Sequence, residues 1–138
     1  MKQQAFERKN EFKTEFGGSL LKKSNPKSAR PLVTKKPMHF VLKSSKAKNE
    51  YSMRAPRNMK AIRLIIEEEA KKCGVAIHQF ANVGNHLHLL IRIKCRESYK
   101  RFIRSVTARI SQQVTRATKG EPSPIGRFWD YRPYTKVV

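Results

Sequence analysis

Acidic residues are scarce in this 138-residue chain: 10 Asp and Glu stand against 31 Lys and Arg, a formal net charge of +21. That shortage excludes a charge-balanced surface. It is sharpened by clustering, because Glu67, Glu68 and Glu69 are consecutive and leave the remainder strongly cationic. Such a surface calls for a polyanionic partner, and nucleic acid is the commonest, since each neutralised phosphate releases condensed counterions. On composition alone, the first reading is a ribosomal or nucleoid-type binder.

Cysteine is scarce too. Cys73 and Cys95 are far apart and form no CxxC pair, which argues against a zinc ribbon or a disulfide framework and fits a reducing, cytoplasmic setting. No apolar run approaches the ~20 residues of a membrane span, and MKQQAFERKN at the N-terminus lacks the apolar core of a signal peptide. The expectation is a soluble intracellular chain with no membrane partner. The length suits one core plus tails.

Residues 1–30 hold Lys2, Arg8, Lys9, Lys13, Lys22, Lys23, Lys27 and Arg30 with few large apolar residues. They read as a disordered basic arm, with a weak helix over residues 3–16 as an alternative. The folded part is expected over residues 31–138. MHFVLKSS, Met38 to Ser45, alternates as a strand with one buried face. From Asn58 to Cys73 apolar residues recur at Met59, Ile62, Ile66, Ala70 and Cys73. That spacing predicts an amphipathic helix with Asn58 as its cap and Gly74 as its end.

VAIHQFA, Val75 to Ala81, reads as a second strand, joined by a turn at Gly84-Asn85 to a third over His86 to Lys94. Glu97 to Thr118 then places Tyr99, Phe102, Ile103, Val106, Ile110, Val114 and Ala117 on one stripe, with Arg101, Arg104, Arg109, Gln112 and Arg116 outside it. RFWDYRPYTKVV supplies a last extended segment. Strand, helix, strand, strand, helix, strand describes an α+β, ferredoxin-like sandwich: an antiparallel sheet with two helices on one face.

Within the third strand, Leu87, Leu89, Ile91 and Ile93 fall on one side and His86, His88, Leu90, Arg92 and Lys94 on the other. The second set is expected on an open sheet face where nucleic acid lies. Side chains at i and i+2 of a strand point the same way about 6–7 Å apart, so both imidazoles can converge on one divalent metal, with a third ligand from elsewhere. His-x-His by itself is a weak signal. Its basic surroundings strengthen it, because a metal beside a cationic surface polarises a scissile phosphate and stabilises the charge developing on its oxygens.

GNHLHLLI, Gly84 to Ile91, resembles the PNHxHLL segment of IS200-like, REP-associated tyrosine transposases, members of the HUH (His-hydrophobic-His) single-strand DNA endonucleases. The resemblance takes in the β-α-β-β-α order, the basic helix SYKRFIRSVTARISQQVT and GRFWDYRPYTKVV, which is similar to the family's GxFWxxRPFTR-like segment; it covers roughly residues 37–138. It implies transposition and DNA recombination on single-stranded or hairpin DNA, with hairpins of repeated extragenic sequence as the substrate class. It also implies Mg²⁺ or Mn²⁺ on His86 and His88, and a tyrosine hydroxyl that attacks the phosphate to give a 5′-phosphotyrosine and a free 3′-OH. Related enzymes occur as monomers and as dimers, so a homodimer is one expected assembly.

In the family the nucleophilic tyrosine and the third metal ligand lie on a helix after the FW…RPFT segment. The chain stops at Val138 and no residue matches that helix. The expectations, in order, are a fragment of a longer protein, a decayed copy that binds without cutting, and a variant using another tyrosine. A non-catalytic, domesticated or ribosome-associated binder is the competing function.

Among the tyrosines, Tyr99 is expected in the core, Tyr51 sits in a basic loop, and Tyr131 and Tyr134 flank Arg132-Pro133. Tyr134 stands where the family usually has Phe, which favours packing over chemistry. Phe128 and Trp129 are expected in the core. His39 is expected to be solvated near the metal site, and His78 to have no role. Glu67, Glu68 and Glu69 are expected to form a solvated helix face. The nucleic-acid contacts expected from the sequence are Arg92, Lys94, Arg101, Arg104 and Arg109.

Overall fold

A computed structural model describes residues 15–18, 30–130 and 132–138. Five strands form one antiparallel sheet in the order β1-β5-β2-β4-β3. They are β1 (Glu15–Phe16), β2 (Met38–Lys43), β3 (Ala76–Asn82), β4 (His86–Arg92) and β5 (Tyr134–Val137), and two helices, α1 (Pro56–Cys73) and α2 (Arg96–Thr115), complete the fold. Met38, Phe40 and Leu42 of β2 and Leu87, Leu89 and Ile91 of β4 are at most 1% exposed, and they share one core with Ile62 and Ile66 of α1 and Phe102, Val106 and Ile110 of α2. The helices therefore cover one face of the sheet and leave the other open. This is the α+β sandwich expected from the element order.

Local chemistry shifts some boundaries. α1 begins at Pro56, whose missing N–H costs nothing in a first turn, and Ala55 precedes it without a side-chain cap. Asn58 is therefore not the cap. It is buried inside the first turn, and its Nδ2 donates to the carbonyls of Glu50 and Ser52 at 3.2 and 2.9 Å. Met59 is exposed and Ile65 takes its place in the core. Gly74 does end α1: its φ of 68° is left-handed, and its N–H closes on Ala70. α2 stops at Thr115, with Arg116 in the left-handed cap conformation at φ 61°.

Two findings depart from the sequence pattern. Ile77 and Phe80 of β3 both pair with core-facing residues of β4, Ile91 and Leu89, although they are three apart. A bulge at His78 reconciles this by inserting one unpaired residue, so Gln79 lands opposite Leu90 on the open face. The second is β1, which lies inside the stretch read as a disordered arm and pairs with β5. Arg30 fastens it: its Nη1 donates to the Pro133 carbonyl and Thr135 Oγ1 at 2.8 and 2.9 Å, and its guanidinium covers the Phe16 ring at 4.4 Å. The basic residues from Lys2 to Lys13 and from Lys22 to Lys27 lie outside the described residues, as does most of the alternative helix over residues 3–16.

Tyr99 and Phe128 are buried as expected, at 5% and 2% exposure. Burial pushes the Tyr99 hydroxyl up to about 12, against the opposing pull of the Arg30 charge. Trp129 packs against the core and donates its indole N–H to the Thr107 carbonyl at 3.0 Å. Asp130 then anchors the segment by accepting from the backbone N–H and hydroxyl of Ser45. Tyr51 also packs against the core.

Candidate metal and nucleic-acid site on the open sheet face

The cross-strand register builds the open face row by row. His86 of β4 stands opposite Lys43 of β2. The next row runs Ala81, His88, Val41 and Tyr134, and the one after it Gln79, Leu90, His39, Lys136 and Glu15. Arg92 follows, exposed, with its Nε donating to the Thr34 carbonyl at 3.0 Å. The alternation of β4 that buries Leu87, Leu89 and Ile91 thus forces both motif histidines onto this face.

The two rings are 4.6 Å apart between centroids and nearly perpendicular, and His39 approaches His88 from the other side at 5.6 Å. His86 Nδ1 lies 2.6 Å from Asn85 Oδ1. A ring N–H donating to that oxygen fixes the tautomer and leaves Nε2 with a free lone pair, the state a metal ligand needs. Desolvation, reinforced by His86 and then His39, holds His88 below the usual imidazole range and favours its neutral form. The pair therefore suits a divalent ion as two imidazole donors. Mn²⁺ fits such nitrogen donors better than Mg²⁺, which prefers oxygen. Among the described residues, no group of three His, Cys, Asp or Glu side chains is arranged to hold an ion.

The structure divides the remaining expected contacts. Arg92 shares the face with the histidines. Lys94 lies past the end of β4, its stem 3.0 Å from where a Cβ would stand on Gly74, so it rests against the C-terminus of α1. There its charge suits the helix dipole. Arg101 and Arg104 are exposed on α2, in the layer behind the sheet.

Arg109 is committed within the helix layer, bonding Glu68 and Glu69 at 2.9 Å each, and those bonds raise its already high pKa. The glutamate run is accordingly more than a solvated face, because Glu69 is 5% exposed. Strand alternation already places Lys43 on the same side of its strand as His39; Lys136 was missed as an open-face cation, although the alternation of β5 could have found it.

Tyr134 is the described tyrosine on the same face as the histidines. It is one strand beyond Val41 from His88, and its hydroxyl donates to Glu15 Oε1 at 3.0 Å. Partial burial and then Glu15 raise its pKa. Its ring does pack, with Cδ2 and Cγ 3.5 and 3.6 Å from where a side chain on Gly18 would begin, but its hydroxyl is a polar group of the open face. Tyr131 lies outside the described residues.

A family model described as "Transposase IS200 like" matches residues 33–135. The chain belongs to the IS200-like transposase family. Among solved structures, this transposase-family chain is similar to a candidate transposase from Deinococcus radiodurans R1, at 16% identity and a TM-score of 0.52, covering 78% of this chain and 84% of that one. At that identity the likeness supports the fold, and it agrees with the five-stranded antiparallel sheet and paired helices. A search of curated proteins finds no match. Among the described residues no helix is long and apolar enough to cross a membrane.

Proposed function

We propose that this IS200-like transposase domain holds single-stranded or hairpin DNA on its open sheet face, with a scissile phosphate beside His86 and His88. The observation that carries the reading is the pairing of the two imidazoles, 4.6 Å apart, on a face where Lys43 and Arg92 provide positive charge. When bound, a divalent ion supplies Lewis-acid polarisation of the phosphoryl oxygen. His86, oriented by Asn85, and His88, kept neutral by partial burial, hold that ion. The cations place the strand through its phosphates, which fixes register without reading sequence.

In this reading, cleavage and transfer run through a tyrosine whose oxygen bonds to phosphorus as the bond to the 3′ oxygen breaks. The expected partner is DNA, the expected ion Mn²⁺ or Mg²⁺, the expected compartment the cytoplasm, and a homodimer is one assembly the reading accommodates.

The test is Mn²⁺ binding followed by spectroscopy or calorimetry, with hairpin-DNA binding measured in parallel. His86→Ala and His88→Ala should each abolish chelation, because one strand imidazole offers only a single donor. The competing reading, a non-catalytic binder, draws support from the absence of a third His, Cys, Asp or Glu donor among the described residues. It predicts tight hairpin binding that neither Mn²⁺ nor either histidine substitution changes.

A further inference from the structure

Next to the histidine pair the open face dips into a shallow depression of about 450 Å³ lined by His39, Gln79, Ala81, His88 and Leu90. Its volume falls in the range of roughly 300–1,000 Å³ typical of small-ligand sites. Its composition is unlike the cationic rows around it. Leu90 and Ala81 give an apolar floor, the neighbouring His39 and His88 rings, 5.6 Å apart and tilted by 46°, give one aromatic side, and Gln79 gives one amide with both donor and acceptor.

The bulge at His78 is what creates this lining. Without it, the residue opposite Leu90 would be His78, and Gln79 would face the core. No hydrogen bond within the described residues occupies the Gln79 amide, and its side chain is exposed. An apolar floor, a flat wall and a free amide at the rim complement a heteroaromatic ring with a donor–acceptor edge.

We propose that this depression is a subsite for one unpaired nucleobase of the bound strand, the base lying over Leu90 and Ala81 beside the His88 imidazole while Gln79 bonds its Watson–Crick edge. The inference rests on the DNA-binding role proposed above and deepens it. Because His88 belongs both to the depression and to the histidine pair, a strand with its phosphate at the pair lays a neighbouring base here. Every unpaired base presents adjacent donor and acceptor groups on that edge. The subsite therefore selects an unstacked base over a paired one and favours a junction between hairpin stem and single strand.

The experiment is an abasic scan. Hairpin oligonucleotides with a single-stranded flank are titrated with the full chain, each lacking the base at one flank position. The expected result is one position where base removal weakens binding on the order of ten-fold, the scale of one base stacked on protein, with neighbouring positions nearly flat. In Ala81→Phe, which fills the depression from an exposed position, and in Gln79→Ala, that contrast should fall to about two-fold or less.

A flat profile in a chain that binds the hairpin overturns the subsite alone. So does an unchanged contrast in both variants. A chain that binds no single strand at all overturns the DNA-binding reading and the subsite with it.

Discussion

The two broad surfaces of this molecule carry the same kinds of charged residue and place their acids differently. On the helix layer, the acids are each paired, Arg63 with Glu67 at 3.3 Å, Lys72 with Glu69 at 3.8 Å, Lys100 with Glu97 at 3.8 Å, and Arg109 with Glu68 and Glu69, while Lys60, Arg101 and Arg104 have no acidic partner among the described residues. On the open sheet face, Lys43 and Arg92 have no acidic partner among the described residues, and the one acid in its rows, Glu15, sits at the edge with Tyr134 and Lys136. Net charge alone does not say where a polyanion binds. Glu67, Glu68, Glu69 and Glu97 all lie on the helices, which leaves Lys43 and Arg92 without such a partner on the histidine face, and the exposed pairs on the helix side contribute little stability individually.

The largest expected contrast lies between neighbours in β4. Ile91 is fully buried, so Ile91→Asp strands a carboxylate in the core and should cost several kcal/mol, on the order of 3–5, in denaturant unfolding. Arg92→Asp should leave the melt nearly unchanged while weakening DNA binding. Similar melts for the two would overturn the division into faces.

Next in size is the helix-side cluster. Arg109→Ala leaves the buried Glu69 without its guanidinium, which should cost about 1–3 kcal/mol. The same change should leave the salt dependence of DNA binding intact, because the charge it removes is already neutralised. A strongly flattened dependence would return Arg109 to the DNA interface.

The face assignment can be sharpened with salt titrations. Replacing Lys43 and Arg92 together by Ala should reduce the log–log slope by about 1.4, at roughly 0.7 per lost phosphate contact on single strands. Arg101→Ala with Arg104→Ala should change it by much less than one contact. If the helix pair proves dominant, DNA crosses the helices and the comparison inverts.

Smallest are the single imidazoles away from the motif. His39→Ala should weaken Mn²⁺ binding only slightly, since His39 contacts His88 from outside the pair, and His78→Ala on the bulge should leave it unchanged.

How much of this was legible follows from the range of each interaction. The facing of His86 and His88 was readable from HLHLLIR because a strand repeats every two residues and the apolar set marks the core. VAIHQFA looked like a similar strand, yet Ile77 and Phe80 cannot both face inward at a spacing of three without a bulge, and only the register against β4 shows that one is present. Asn58 resembled a cap because capping chemistry is local; its actual partners lie in the preceding loop.

Arg109 looked like a free cation because Glu68 and Glu69 are some forty positions away along the chain and meet it only when the helices pack. β1 was hidden for a similar reason. Two residues, Glu15 and Phe16, carry no periodicity, and they are held by β5 and Arg30 from distant parts of the sequence.

By itself, the sequence determined the order of the elements from β2 to β5, the layer architecture, the excess of positive charge and the inward and outward sides of β4, because these rest on local periodicity and composition. Only the tertiary structure decided which cations remain free of acids among the described residues, that Tyr134 shares the histidine face, and that Gln79 and Leu90 frame a depression beside His88. Those outcomes depend on strand register and helix packing, which bring together residues that no local pattern connects.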